Sequence, residues 1–170
     1  MSSELYFSDN FFSSGRTDIF NSEKERVGEL DLKSAFSASV DVLDNEGQIL
    51  ASGKFPFFGN RWIVSGKNGE ELGELRQKWS FFAKKFQYHS VGKGTYTIES
   101  EAFSKEYTIL DQQGAVSCSF EKVSGFFSSP AYKLENKSAN LSNQELVAVV
   151  MGVNAIQKRN NAAAANNPAT

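Results

Sequence analysis

The chemistry open to this chain is narrowed first by what it lacks. Its 170 residues include one Cys, one His, three Pro and two Met. A lone Cys118 forms no internal disulfide, and without a cysteine pair there are no thiolates for zinc, iron–sulfur or c-type haem. A lone His89 removes every site that needs two imidazoles, and it leaves a single imidazole for any Ser-His or Cys-His mechanism. Positive charge is not in excess either: 18 Lys and Arg stand against 20 Asp and Glu, a net charge of −2. That balance argues against a dedicated nucleic-acid binder. Met1-Ser2-Ser3-Glu4 lacks the basic-then-apolar order of a signal peptide. The longest nearly uninterrupted apolar run, Leu146 to Val153, is far short of the roughly 20 residues that span a bilayer. The expected location is the cytoplasm, with peripheral contact to a membrane as the one variation, and neither cofactor nor metal is expected.

What the chain does have is apolar bulk. Fifteen Phe, five Tyr and two Trp accompany 40% hydrophobic residues overall. A chain of this size buries roughly 70% of its unfolded surface, so one domain is expected over residues 1–159. A disordered polar and alanine-rich tail is expected at 160–170.

Period two dominates as far as about Leu134. Phe36, Ala38, Val40 and Val42 alternate with Ser37, Ser39 and Asp41; Val116, Cys118 and Phe120 alternate with Ser117, Ser119 and Glu121. Such alternation marks strands with one buried and one wet face. Asp44-Asn45-Glu46-Gly47, Gly66-Lys67-Asn68-Gly69, Gly92-Lys93-Gly94 and Asp111-Gln112-Gln113-Gly114 read as hairpin turns between them. The period then changes. Ser142-Asn143-Gln144-Glu145 is a capping box, with the Glu145 carboxylate expected to reach back to Ser142, and Leu141 and Leu146 sit at the staple positions. A helix is predicted from Asn143 to about Arg159, with Lys158 and Arg159 at the negative end of its dipole. Leu146, Val149, Val150 and Val153 fall on one face and Ala148, Met151, Gly152 and Ala155 on the other, so this helix must be buried all round. A buried strand is the competing reading. A mostly β fold follows, a closed antiparallel barrel of about twelve strands around a central hydrophobic C-terminal helix. Phe-rich inward faces are expected to pack on that helix.

Leu5 to Phe12, the hairpin Val42 to Leu50, Arg61-Trp62-Ile63-Val64, Lys78-Trp79-Ser80-Phe81-Phe82 and the capped helix Ser142 to Arg159 resemble the tubby C-terminal-like superfamily. Within it, they are most similar to bacterial LURP-one-related proteins. The resemblance implies a barrel around a central helix. Tubby proteins bind phosphoinositide headgroups, related scramblases act at membranes, and LURP-one-related proteins have no assigned enzymatic activity. It carries over no ligand residues.

The strongest local candidate for a function is Arg76-Gln77-Lys78-Trp79-Ser80-Phe81-Phe82-Ala83-Lys84-Lys85-Phe86. Cations interleaved with aromatics suit an anionic interface, which makes Arg76, Lys78, Trp79, Lys84 and Lys85 the candidate lipid- or anion-binding residues. The competing reading places the aromatics in the core and the lysines on the wet face of two strands. His89 and Ser90 point to opposite faces and form no catalytic pair, and Cys118 reads as a buried, inert thiol. Asp41, Asp44 and Glu46 lack the ligand order of a calcium loop. Glu99 and Glu101 share parity, as two residues of one strand face would, but catalytic carboxylates need a cleft. The reading reached is a non-enzymatic binding or scaffold module with no catalytic residues. Its expected partner is a membrane phospholipid surface or another protein, not nucleic acid. The alternative is a small-molecule binder or enzyme with a carboxylate-lined cleft at the barrel mouth.

Overall fold

The computed structural model describes residues 3–13, 15–33, 39–79, 84–100 and 104–166. Twelve strands follow one another: β1 (Ser3–Ser8), β2 (Gly15–Phe20), β3 (Arg26–Leu32), β4 (Ser39–Leu43), β5 (Ile49–Lys54) and β6 (Arg61–Gly66), then β7 (Glu71–Lys78), β8 (Lys84–Ser90), β9 (Gly94–Ser100), β10 (Tyr107–Leu110), β11 (Val116–Val123) and β12 (Ala131–Asn136). A helix, α1 (Asn143–Ala165), completes the chain. Every strand pairs antiparallel with its sequence neighbours, and β1 pairs with β12 to close the barrel. Closure leaves no strand edge open to another chain.

This up-and-down order gives the barrel two unlike ends. Tight turns gather at one, the turn end, where Asp44 Oδ1 accepts the amides of Glu46 and Gln48, both at 2.9 Å. Asp111 repeats the device with Gln113 and Ala115. Gly47 and Gly114 close these two turns at φ +79° and +81°, where a side chain would be strained. The connections β1–β2, β5–β6, β7–β8, β9–β10 and β11–β12 leave from the other end, the loop end.

The helix enters at the turn end and runs the length of the lumen. Ser142 caps it by accepting the Glu145 amide at 3.2 Å. The reciprocal half of the box is not made. The Glu145 carboxylate, fully buried, instead accepts from the Tyr88 hydroxyl at 2.8 Å, Ser90 Oγ at 2.9 Å and Lys93 Nζ at 2.8 Å. Those three donors lie on the barrel wall and offer a carboxylate more than one backbone amide can. Every residue from Glu145 to Ile156 is buried, including Leu146, Val149, Val150, Met151, Gly152 and Val153.

The helix continues to Ala165, beyond Arg159, through residues that the sequence reading gave to a disordered tail. The run of alanines from Ala162 has the highest helix propensity available and needs no packing to extend an existing helix. Lys158 and Arg159 are therefore not at the dipole's end. Lys158 Nζ donates to the Phe12 carbonyl at 3.0 Å and Arg159 Nη1 to the Gly59 carbonyl at 3.4 Å, tying the emerging helix to the loop end.

The helix lies against β4 to β7, and Trp62 explains how closely. A Cβ added to Gly152 would sit 2.4 Å from the Trp62 ring, and one added to Gly53 would also meet that ring at 2.4 Å. The indole is thus wedged between β5 and α1, and its Nε1 donates to the Ala148 carbonyl at 3.1 Å. The opposite side of the lumen is filled by aromatics around Phe120, with Phe7, Phe11, Phe12 and Tyr132 ringing it at centroid distances of 5.2–6.1 Å. The phenylalanines are concentrated there and do not line the barrel evenly. Of those described, Phe7, Phe11, Phe12, Phe86 and Phe120 are buried.

The outer wall is charged. Arg16 pairs with Glu29 across β2 and β3 at 3.0 Å, and Lys133 pairs with Glu121 across β12 and β11 at 3.1 Å. A membrane-spanning barrel needs an apolar outward band; this one has its apolar side inside. Among the described residues no helix is long and apolar enough to cross a membrane.

Candidate functional site

Residues Arg76 and Lys78 close β7, and Lys84 and Lys85 open β8. Gly73 and Leu75 face inward, so Glu74, Arg76 and Lys78 face out; Phe86 and Tyr88 face inward, so Lys85 faces out. Strand register sets Lys78 directly opposite Lys85. The structure therefore brings Arg76, Lys78 and Lys85 together on the outer wall. Lys84 shares the inward parity of Phe86 but stands at the rim, half-buried. Trp79 follows β7 and is 82% exposed. Phe81 and Phe82 lie outside the described residues.

Not all of this charge is available. Glu74 accepts from Arg76 Nε at 2.7 Å and from Arg61 Nη1 at 3.0 Å, one carboxylate held between two guanidinium groups. The Arg76 hydrogen bond, then that of Arg61, holds the Glu74 carboxyl below its usual range despite some burial. Lys85 pairs with Glu99 at 2.8 Å. The cluster keeps an excess of positive charge, with Lys78 outside these pairs.

The topology extends the cluster beyond the predicted stretch. At the loop end, β5 finishes on Lys54, β6 starts on Arg61, β7 finishes on Lys78 and β8 starts on Lys84. Four successive strands thus present a cation at the same rim, and no strand terminus at this end is acidic. Phe57 and Phe58, in the β5–β6 connection, are 92% and 81% exposed beside it. The helix exit joins the two halves: Asn60 donates to Asn160 at 3.1 Å, and Asn160 donates to Gln77. The turn end has the opposite character. Its connections carry Glu23, Glu25, Asp44, Glu46, Glu70 and Asp111 against Lys24, Lys67, Lys93 and Lys137. A net charge near zero thus conceals a basic, aromatic sector of the loop-end rim on β5 to β8, with Asp9 and Glu106 beside β1 and β10 elsewhere on that rim, and a turn end whose connections carry two more acids than bases.

Lys54, Arg61, Phe57 and Phe58 escaped the sequence reading. A signal for the phenylalanines was present, since two adjacent side chains on a strand cannot both face the core, and Pro56 and Gly59 bracket the pair. The rim of cations had no such signal. Its members are far apart in the chain and become neighbours only when the strand ends are aligned.

The other candidates carry less. His89 is exposed, with Nδ1 3.0 Å from Thr95 Oγ1, while Ser90 beside it is buried on Glu145. Burial pushes the Cys118 thiol up to about 12, which leaves it protonated and unreactive at neutral pH. A polar cavity of about 460 Å³ at the turn end is lined by Lys93, Asp111 and Lys137. Each is already engaged, Lys93 by Glu145, Asp111 by its own turn and Lys137 by Glu135 at 3.5 Å. It has no pair of convergent carboxylates of the kind an acid–base cleft requires. Among the described residues no group of His, Cys, Asp and Glu is placed to hold a metal ion.

The fold has a solved counterpart. The X-ray structure of a protein from Arabidopsis thaliana is similar at a TM-score of 0.65, covering 92% of this chain and 91% of that one at 7% sequence identity. At that identity the likeness shows the fold alone. No curated protein matches the chain. The family model described as LURP-one-related matches residues 4–159, from β1 through the buried part of α1. The chain belongs to the LURP-one-related family.

Proposed function

We propose that this domain is a non-enzymatic binding module that docks end-on, loop end first, on an anionic lipid surface. The observation that carries the reading is the rim itself: basic termini of four successive strands, Lys54, Arg61, Lys78 and Lys84, flanked by three exposed aromatic side chains. A Lys or Arg held near an anionic leaflet contributes about 1 kcal/mol. Arg61 is already paired with Glu74, so the remaining three supply about 3 kcal/mol, a dissociation constant on the order of 10 mM when taken alone. That is weak attachment, strengthened by Trp79, whose ring favours the headgroup layer. The acidic turn end is repelled by the same surface, so charge orients the barrel as well as attracting it.

The test is co-sedimentation of the full chain with phosphatidylcholine vesicles, with and without phosphatidylserine. Binding is expected only with the anionic lipid and should fall as salt shortens the Debye length. Lys78→Glu with Lys84→Glu should weaken it by at least tenfold, since each reversal replaces about 1 kcal/mol of attraction with repulsion. Binding unaffected by salt and by both reversals would remove the electrostatic basis of the proposal.

A further inference from the structure

We propose that Phe57 and Phe58 form a wedge that enters the acyl region of the bilayer when the domain docks; this rests on the end-on reading above. The two rings are 92% and 81% exposed and meet each other edge-on, with centroids 4.6 Å apart. The barrel carries a second such pair at the same end and holds it differently. Phe126-Phe127, in the β11–β12 connection, has nearly the same mutual geometry, at 4.6 Å and 88°. Yet Phe126 stacks on Tyr6 at 3.7 Å and Phe127 packs on Phe20 at 5.2 Å, so both rings lie against the wall. Phe57 and Phe58 instead stand off it.

Their root is fixed. Phe55 packs edge-on against Trp62 at 5.1 Å, and the Arg159 guanidinium lies over Phe55 at 4.6 Å. Arg159 also donates to the Gly59 carbonyl, and Asn60 to Asn160. Trp62 is itself pinned by Gly53 and Gly152, so the base of the loop is continuous with the core. With its base held on both sides, the loop presents Phe57 and Phe58 outward.

The occupant is set by charge and size. Lys54 to Arg61 carries two cations and no carboxylate, which complements an anionic headgroup layer. Two phenylalanines bury about 150–250 Å² each, well below the roughly 800 Å² per partner of a standard protein interface. A fluid bilayer moulds around a convex tip of that size, whereas a folded protein would need a matching pocket.

The test uses the full chain on phosphatidylcholine–phosphatidylserine vesicles. In a Trp79→Phe background, Phe57→Trp places a reporter at the tip while Trp62 stays buried. Lipids brominated along the acyl chain should quench that reporter. In the otherwise unaltered chain, Phe57→Ser with Phe58→Ser should weaken binding by at least tenfold without lowering the melting temperature, because both positions are exposed. If the chain sediments with the vesicles but the tip is not quenched, or the double serine variant binds as tightly, the wedge is refuted while end-on docking stands. If the unaltered chain does not sediment with anionic vesicles, the docking reading fails and takes the wedge with it.

Discussion

At the scale of single residues, Gly152 shows how a poor helix former can be required. In an exposed helix, replacing glycine with alanine gains about 1 kcal/mol. Here the added methyl would sit 2.4 Å from the Trp62 ring, which is itself locked between Gly53 and the Ala148 carbonyl. Gly152→Ala should therefore destabilise by about 1–3 kcal/mol, the usual cost of overpacking a filled core. Chemical denaturation with an unchanged m-value measures it; a more stable variant would mean that the indole can move aside. Nothing in the local sequence marks this glycine as special. Its reason lies 90 residues away in β6, on Trp62, so intrinsic propensity flagged the residue as weak without saying why it is there.

Among the elements, the strands and the start of α1 were readable because each depends on near neighbours. Period-two alternation needs only i and i+2, and the Asp44 and Asp111 turns are closed by amides two and four residues on. The Ser142 cap is equally local. The Glu145 carboxylate is not: its partners Tyr88, Ser90 and Lys93 are 57, 55 and 52 residues distant. They seat the first turn of α1 against β8 and its turn into β9. Burial and Glu145 push the Tyr88 hydroxyl well above its ordinary value, so it stays protonated and donates. The two charged members should respond differently to removal. Lys93 is 34% exposed on its side chain and Glu145 is wholly buried. Glu145→Gln lets the ammonium turn toward water and should cost about 1–2 kcal/mol. Lys93→Ala leaves a buried carboxylate without a counter-charge and should cost about 3–5 kcal/mol. Urea denaturation of the two variants separates them, and an equal or reversed order would mean that the ion pair does not seat the helix.

On the scale of the whole molecule, the fold was legible and the proposed docking surface only half so. Alternation, turns and an apolar helix together imply a barrel with a filled lumen, because a sheet closed around a helix buries it on every side. The stretch from Arg76 to Lys85 marked two of the four rim strands. Lys54, Arg61 and the Phe57-Phe58 tip joined it only through the register of β5, β6 and β7. Charge segregation between barrel ends is likewise invisible in a total of −2. Because the two ends differ in both charge and apolar exposure, end-on docking fixes an orientation that needs no mutation to check. Amide hydrogen exchange of the full chain on phosphatidylserine-containing vesicles reads it directly. The β5–β6 connection and Trp79 should gain protection relative to the free protein, while the turns at 44–48, 66–70 and 111–115 keep their free-state exchange. Protection confined to those turns, or spread evenly over both ends, would contradict end-on docking through the basic rim.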